Sequence, residues 1–316
     1  GSRRARNSAR KGHFVSAPPV TTARAASVPA LSRSWSYLVL TKPDVTFLVV
    51  LTTAAGFYLG STGALDPVAM FNAVFGTTLV GAGTAALNHY MERASDAKMR
   101  RTAGRPLPLG ALRPAEALAF GAGLVLAGGI YLALFSNLLA CSLALLTTLL
   151  YLGLYTPLKK HTTWATAIGA FPGAIPPLVG WAAARGSLNE GAWLLFAILF
   201  LWQFPHFYSI AWMYREDYAR AGIQMLPVVD PTGAATFGQI IFTAAILVPV
   251  SLLPSVTGLA GSSYFFGAFL IGLLLFQASL WASRTRTNVR AKWLMHATVA
   301  HIPLLLGLLM LDKVVK

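Results

Sequence analysis

Asn88-His89-Tyr90-Met91-Glu92-Arg93-Ala94-Ser95-Asp96-Ala97-Lys98-Met99-Arg100-Arg101-Thr102, running on to Arg105-Pro106-Leu107-Pro108, decides how this chain is read. The stretch begins inside an apolar run and leaves it carrying both signs of charge. Asn88, Glu92 and Asp96 stand at i, i+4 and i+8. At 3.6 residues per turn each step drifts by only about 40°, so their oxygen-bearing side chains share one helix face. They spread over about 12 Å of axis. Asn88 lies deep enough in the apolar run that its amide needs a partner. Basic residues crowd the same end. An acidic stripe beside a basic cluster, at the mouth of a hydrophobic helix, suits a divalent cation and a phosphorylated ligand.

The surroundings of that stretch set the class of protein. The chain has 316 residues, of which 56% are hydrophobic and only 11% charged. A soluble chain carries about 25% charged residues, so this is an integral membrane protein whose first partner is the lipid bilayer. Nine apolar runs approach the ~20 residues a membrane helix needs: 45–63, 67–91, 113–135, 138–157, 163–184, 191–213, 235–256, 262–282 and 292–311. The fold expected is an all-α bundle of nine transmembrane helices over 43–316. Residues 1–42 hold no acid and are rich in Arg, Ser, Ala and Pro, which reads as a basic, disordered cytoplasmic tail. The other reading of that segment is a mitochondrial transit-type sequence. With the N-terminus inside, 22 of the 25 Lys and Arg residues fall on the cytoplasmic side. That asymmetry supports both the helix count and the orientation. The same rule accounts for the net charge of +15. No nucleic-acid-binding motif accompanies it, so nucleic acid is not expected as a partner. The single cysteine, Cys141, excludes an intrachain disulfide and a Cys-rich metal site.

The ten acidic residues are scattered, except for two clusters at cytoplasmic ends: Glu92 with Asp96, and Glu216 with Asp217. The second cluster closes a stretch running from Trp202-Gln203-Phe204-Pro205-His206-Phe207 to Arg215-Glu216-Asp217-Tyr218. Gln203 and His206 share a helix face that leads toward Asp217, about 16 Å further along the axis. A third stretch, Tyr155-Thr156-Pro157-Leu158-Lys159-Lys160, places a lysine where it either snorkels or binds phosphate.

Together these stretches resemble the UbiA superfamily of membrane prenyltransferases, and within it the branch that prenylates haem. The N-x-x-x-D/E-x-x-x-D motif falls on Asn88, Glu92 and Asp96. The extension R-x-x-D-x-x-M-x-R-T-x-x-R-P-L-P falls on Arg93, Asp96, Met99, Arg101, Thr102, Arg105, Pro106, Leu107 and Pro108. Y-x-x-x-K falls on Tyr155 and Lys159, and Lys42-Pro43 fits the start of the first span. The helix-6 signature W-Q-F-P-H-F, then R-E-D-Y, completes the likeness over about 36–311. One departure is the second acidic motif, D-x-x-x-D in many members, which here offers Glu216, Asp217 and then Tyr218. Asp217 is the better candidate of the two.

The resemblance implies a UbiA-like bundle with a cytoplasmic-facing active site, in a bacterial inner membrane or, as the other reading, a mitochondrial one. It implies transfer of a farnesyl group from farnesyl diphosphate to a vinyl group of haem b, giving haem O. Mg²⁺ would sit on Asn88, Glu92, Asp96 and Asp217. Lys42, Arg101, Arg105, Lys159 and Arg215 would hold the diphosphate. His206 or His89 would contact the porphyrin, and a haem A synthase or an oxidase-assembly protein would be a partner. Two other readings are a UbiA-type enzyme acting on an aromatic quinone precursor and, from another class, a cation-coupled transporter.

Overall fold

The computed structural model describes residues 32–314, so the basic segment before them lies outside the described residues. Helix α1 (Arg33–Leu40) lies ahead of the first span, capped by the Ser32 hydroxyl accepting from the Trp35 N–H. Within the stretch read as a tail over 1–42, α1 occupies Arg33–Leu40. Ser32 supplies a helix cap, and α1 buries Ser36 and Leu40.

Nine helical segments among the described residues are long and apolar enough to cross a membrane. They are α2 (Pro43–Gly60), α3 (Pro67–Asp96), α4 (Pro114–Phe135), the α5–α6 segment, the α7–α8 segment, α9 (Glu190–Met213), α12 (Ala234–Val256), α13 (Ser262–Thr285) and α14 (Asn288–Leu311). In the fourth span, α5 (Leu138–Leu149) passes through a π-helical stretch (Leu150–Tyr155) into α6 (Thr156–Leu158). The fifth is divided at Ile175 into α7 (Ala165–Ala174) and α8 (Pro176–Arg185), where Pro176 and Pro177 cannot continue the ladder of N–H donors. Short helices α10 (Arg215–Arg220) and α11 (Leu226–Val229) connect α9 to α12.

Sequence sets where the spans start. Proline occupies the first turn of α2, α3 and α4, where its missing N–H is harmless. Asp66 accepts from the N–H groups of Val68 and Ala69 at 2.9 and 3.0 Å, and Asn137 caps α5 through Ala140 N–H at 2.8 Å. At the far end of α2 the free carbonyls of Tyr58, Gly60 and Ser61 are met by Lys313 and Arg185, cations at the negative end of a helix dipole.

Lipid gives helices little hydrophobic reason to associate, so close packing must do it. Helices α2 and α8 meet through glycine. A Cβ on Gly180 would stand 1.9 Å from the Thr53 carbonyl oxygen, and one on Gly56 would stand 2.1 Å from that of Pro177. Helices α3 and α4 meet likewise at Gly83 and Gly121. Helix α9 is the hub, burying Leu195, Ile198, Leu199 and Trp202 in the main apolar core together with residues of α12, α13 and α14.

The α2–α8 contact gives a stability test. Gly180→Ala is expected to destabilise the detergent-solubilised protein by about 1–3 kcal/mol, the usual cost of overpacking. Gly123→Ala, at a position with nothing within 4 Å of the added carbon, should leave the thermal midpoint unchanged.

Candidate active site

The three-residue stripe of α3 is buried. Asn88, Glu92 and Asp96 are 1%, 6% and 0% exposed, too little for water to neutralise their polarity, so each must be met by protein. Lys42 Nζ donates to Asn88 Oδ1 at 2.6 Å. Asn88 Nδ2 donates to Glu92 Oε1 at 2.6 Å and to the Thr156 hydroxyl at 3.3 Å. Lys159 Nζ pairs with the same Glu92 oxygen at 2.6 Å. One continuous chain of polar contacts thus runs from the mouth of α2 across α3 to the end of the fourth span. One turn further on, Arg105 Nη1 pairs with Asp96 Oδ2 at 2.8 Å. Asp96 Oδ1 is buried with no hydrogen-bond partner.

Local backbone places these groups. Lys42 caps α2 in the left-handed region at φ 47°, a conformation uncommon for a residue with a side chain. Pro43 behind it excludes the helical alternative for Lys42. Burial, with Arg105 and Lys159 nearby, pushes the Lys42 ammonium down to about 8, against the pull of Glu92 and Asp96. In the fourth span the π turn shifts Tyr155 and everything after it relative to a regular helix; such turns mark functional positions in many proteins. The Thr156 hydroxyl donates back to the Tyr151 carbonyl at 2.8 Å and accepts from Asn88. Lys159 lies 5.8 Å from the centre of the Tyr155 ring. A cavity of about 300 Å³ opens beside the stripe, lined by Met91, Glu92, Thr156, Pro157, Lys160 and His161.

The second acidic cluster arrives differently from the continuous helix expected. Helix α9 stops at Met213, and Tyr214 breaks it before α10 begins. That turn leaves Glu216 exposed and Asp217 buried. Asp217 Oδ2 accepts from the backbone N–H of Arg101 at 3.0 Å, while its other oxygen pairs with Arg220. The Arg101 guanidinium lies 4.8 Å from the centre of the Tyr214 ring. The loop after α3 and the end of α9 are therefore tied directly, bringing both acidic clusters to one end of the bundle.

The other expected residues separate. Arg215 turns outward, bonding the Trp212 carbonyl and Asn288 Oδ1, both at 2.7 Å. His206 faces α14, with Nδ1 2.8 Å from the Thr298 hydroxyl and its ring stacked on Trp202 at 5.0 Å. His89 is buried with neither ring nitrogen hydrogen-bonded. Thr156, Arg220 and Tyr214 join the site although sequence reasoning did not single them out. Only Thr156 carried a signal, as the neighbour of Tyr155 in the Y-x-x-x-K element.

Paired acids and cations at one mouth of a nine-span bundle describe a site for an anionic ligand beside an apolar interior. Residues 49–302 match the UbiA prenyltransferase family. The chain belongs to that family. A protoheme IX farnesyltransferase from Solibacter usitatus is 49% identical, over 88% of this chain and 98% of its own length. One from Salinibacter ruber is 47% identical over the same shares of each chain. Among solved structures, a digeranylgeranylglyceryl phosphate synthase superposes with a TM-score of 0.73 at 20% identity, covering 89% of this chain and 99% of that one. A UbiA homologue from Archaeoglobus fulgidus, bound to DMAPP and Mg²⁺, reaches 0.63 at 15%, covering 87% and 99%. These last two show the UbiA fold in this chain.

The buried Lys159–Glu92 pair gives a test within this family member. Lys159→Met leaves a buried carboxylate without its cation and should cost about 3–5 kcal/mol. Adding Glu92→Gln removes the orphaned charge, so the double variant should recover most of that loss in thermal unfolding.

Proposed function

We infer that the chain joins the farnesyl group of farnesyl diphosphate to a vinyl group of haem b. The products are haem O and diphosphate. The observation that carries this reading is the 49% identity to a protoheme IX farnesyltransferase over almost the whole of both chains. The site's chemistry supports it independently: an anion-binding mouth at one end of an apolar bundle is what an allylic diphosphate requires.

The donor set is compatible with a divalent metal. Asn88 Oδ1, Glu92 and Asp96 are hard oxygen donors, and Asp96 Oδ1 is buried and unpartnered. Among the described residues no three acidic, histidine or cysteine side chains converge into a closed metal cage. Mg²⁺ characteristically uses one or two carboxylates plus substrate phosphates and water, so no closed cage is needed. Asn88, Glu92 and Asp96 would hold it, with Asp217 at the neighbouring position. When bound, the ion supplies Lewis-acid stabilisation of the leaving phosphate oxygens.

The protein's own groups supply the rest. Lys42 donates to Asn88, while Lys159 and Arg105 neutralise Glu92 and Asp96. On substrate entry they are placed to exchange those partners for diphosphate oxygens, with Arg101 closing from the loop. As the allylic C–O bond breaks, its electron pair leaves with the diphosphate, and these fixed cations stabilise the charge that develops. The vinyl π electrons form the new C–C bond to the allylic carbon. Water adds to the resulting cation, and its proton passes to the departed diphosphate. The apolar interior keeps water from the allylic cation until then. Arg215, held by Asn288 and the Trp212 carbonyl, is a peripheral contributor. The lysine and arginine asymmetry of the loops supports a site on the cytoplasmic face of a bacterial inner membrane.

Purified protein given haem b, Mg²⁺ and farnesyl diphosphate should convert haem to a product heavier by one farnesol, read by mass spectrometry. Prenylation of an aromatic acid with haem left unchanged would overturn this reading. Asp96→Asn should lower turnover by about 10²–10³-fold, the scale of losing one electrostatic contact to a developing charge. Its chromatographic profile should be unaltered. EDTA should stop turnover and Mg²⁺ restore it.

A further inference from the structure

Helix α1 carries none of the groups at the acidic clusters, yet with the start of α4 it frames an open groove of about 500 Å³. Tyr37, Glu116, Ala119 and Phe120 line it. The rim of the groove is cationic. Arg33 Nη2 and Arg113 Nη2 both pair with one oxygen of Glu116, at 2.5 and 3.2 Å. The other Glu116 oxygen accepts from the Arg113 backbone N–H at 2.8 Å. Two guanidiniums thus share one carboxylate, and one positive charge is left over. Each gives a single nitrogen to Glu116, although a guanidinium carries five N–H donors in a fixed fork. The two side chains are 70% and 82% exposed, so donors remain open to a ligand beside the groove. The Tyr37 hydroxyl lies next to Arg33.

The groove stands where the chain enters the bilayer. Helix α4 is a membrane span that begins at Pro114, so Glu116 and Ala119 lie in its first two turns. Trp35 and Leu38 of α1 are 53% and 46% exposed, and exposed aromatic side chains characteristically anchor at a membrane interface. On the face of Ala119, at i+4 and i+8, Gly123 and Ala127 are exposed. Nothing lies within 4 Å of a carbon added to Gly123. Cationic forks above a smooth apolar track match a lipid with an anionic head and long chains. A second copy of this chain fits less well, because a symmetric dimer would set one net positive rim against the other. The inner side of α1 reaches the reaction site. Leu40 shares an apolar cluster with Ala86 of α3, Leu107 and Leu112 of the following loop, and Ala117 of α4. The last turn of α1 runs directly into Lys42, whose N–H donates to the Val39 carbonyl at 3.2 Å and whose Nζ donates to Asn88.

We propose that this groove binds an anionic phospholipid, whose phosphate takes the free donors of Arg33 and Arg113 and whose chain lies along Ala119, Gly123 and Ala127. Arginine forks match phosphate oxygens two at a time, and a basic residue gains from the potential of an anionic membrane surface. The bound lipid clamps α1 against α4 and so holds Lys42 over Asn88. This second effect, on the handling of farnesyl diphosphate, rests on the function proposed above, whereas lipid binding itself does not.

The test uses full-length protein, stripped of lipid in detergent and titrated with phosphatidylglycerol or phosphatidylcholine under native mass spectrometry. Wild type is expected to retain one phosphatidylglycerol about tenfold more tightly than phosphatidylcholine, the scale of two cations near an anionic surface. Arg33→Gln combined with Arg113→Gln should erase that preference. Ala119→Phe keeps both arginines but fills the groove, and should lose the retained lipid at the wild-type thermal midpoint. Both variants keep the basic residues of 1–31, so any attraction of that segment for anionic lipid is common to all three proteins. In nanodiscs, replacing phosphatidylglycerol by phosphatidylcholine should raise the wild-type KM for farnesyl diphosphate more than it lowers kcat, with no such change in Ala119→Phe. Equal retention of phosphatidylglycerol by wild type and both variants would overturn the lipid site. Inorganic phosphate binding as tightly as the lipid would overturn it in favour of a free anion, and a dimer that Ala119→Phe dissociates would do so in favour of a second copy. A KM independent of the lipid, in active enzyme, would overturn the clamp on Lys42. Wild type that binds the lipid but never prenylates haem would instead overturn the activity and leave the lipid site standing.

Discussion

Charges at membrane depth must be paired, and here the pairing is a single chain: Lys42 to Asn88, Asn88 to Glu92, Glu92 to Lys159. Asn88 and Glu92 come from the regular helix α3, but both lysines come from places where the backbone departs from a regular helix. Lys42 sits at positive φ just before a proline. Lys159 follows a π-helical turn. Irregular backbone costs of order 1–3 kcal/mol per residue and persists only where surrounding contacts over-determine it. In lipid the alternative is an unpaired lysine or glutamate, which is costlier still. The polar chain therefore accounts for the geometry of α2 and of the fourth span as much as those spans account for the site.

The pairing is also not balanced. Lys42, Lys159, Arg105 and Arg220 are four cations set against three carboxylates, those of Glu92, Asp96 and Asp217. Arg101 adds a further positive charge, held over Tyr214 rather than by an acid. Of these cations Lys159 is buried, Lys42 and Arg105 are half-buried, and Arg101 and Arg220 are exposed; an excess of positive charge running from the surface inward favours an anion, and an allylic diphosphate is one. Ligand entry offers those cations phosphate oxygens as partners, and a divalent cation would then take up the carboxylates they leave, which avoids the desolvation penalty of isolated buried ions.

Much of this was legible in the sequence because it depends on local spacing. Asn88, Glu92 and Asp96 share a face because of helical periodicity alone, and the nine apolar runs coincide with the nine spans to within a few residues. What sequence spacing does not encode is where a helix stops for tertiary reasons. Continuing the sixth span past its apolar run puts Asp217 on a stripe with Gln203 and His206. The break at Tyr214 instead turns Asp217 toward Arg101, a partner 116 positions away in the chain. The same break explains Arg215, which as the first residue of α10 satisfies the carbonyl of Trp212 in the last turn of α9. The π turn of the fourth span has no periodic signature in Leu150–Tyr155 either, since it changes register by a single residue.

The bond from Arg101 N–H to Asp217 has one more effect. It joins the loop after α3 to α10, the short helix that follows α9. That loop carries Arg101 to the Tyr214 ring and Arg105 to Asp96, so one backbone bond holds the cations beside the first acidic cluster against the second. Loss of the tie would let the loop slide from α10 and spread those cations while leaving each binding group intact.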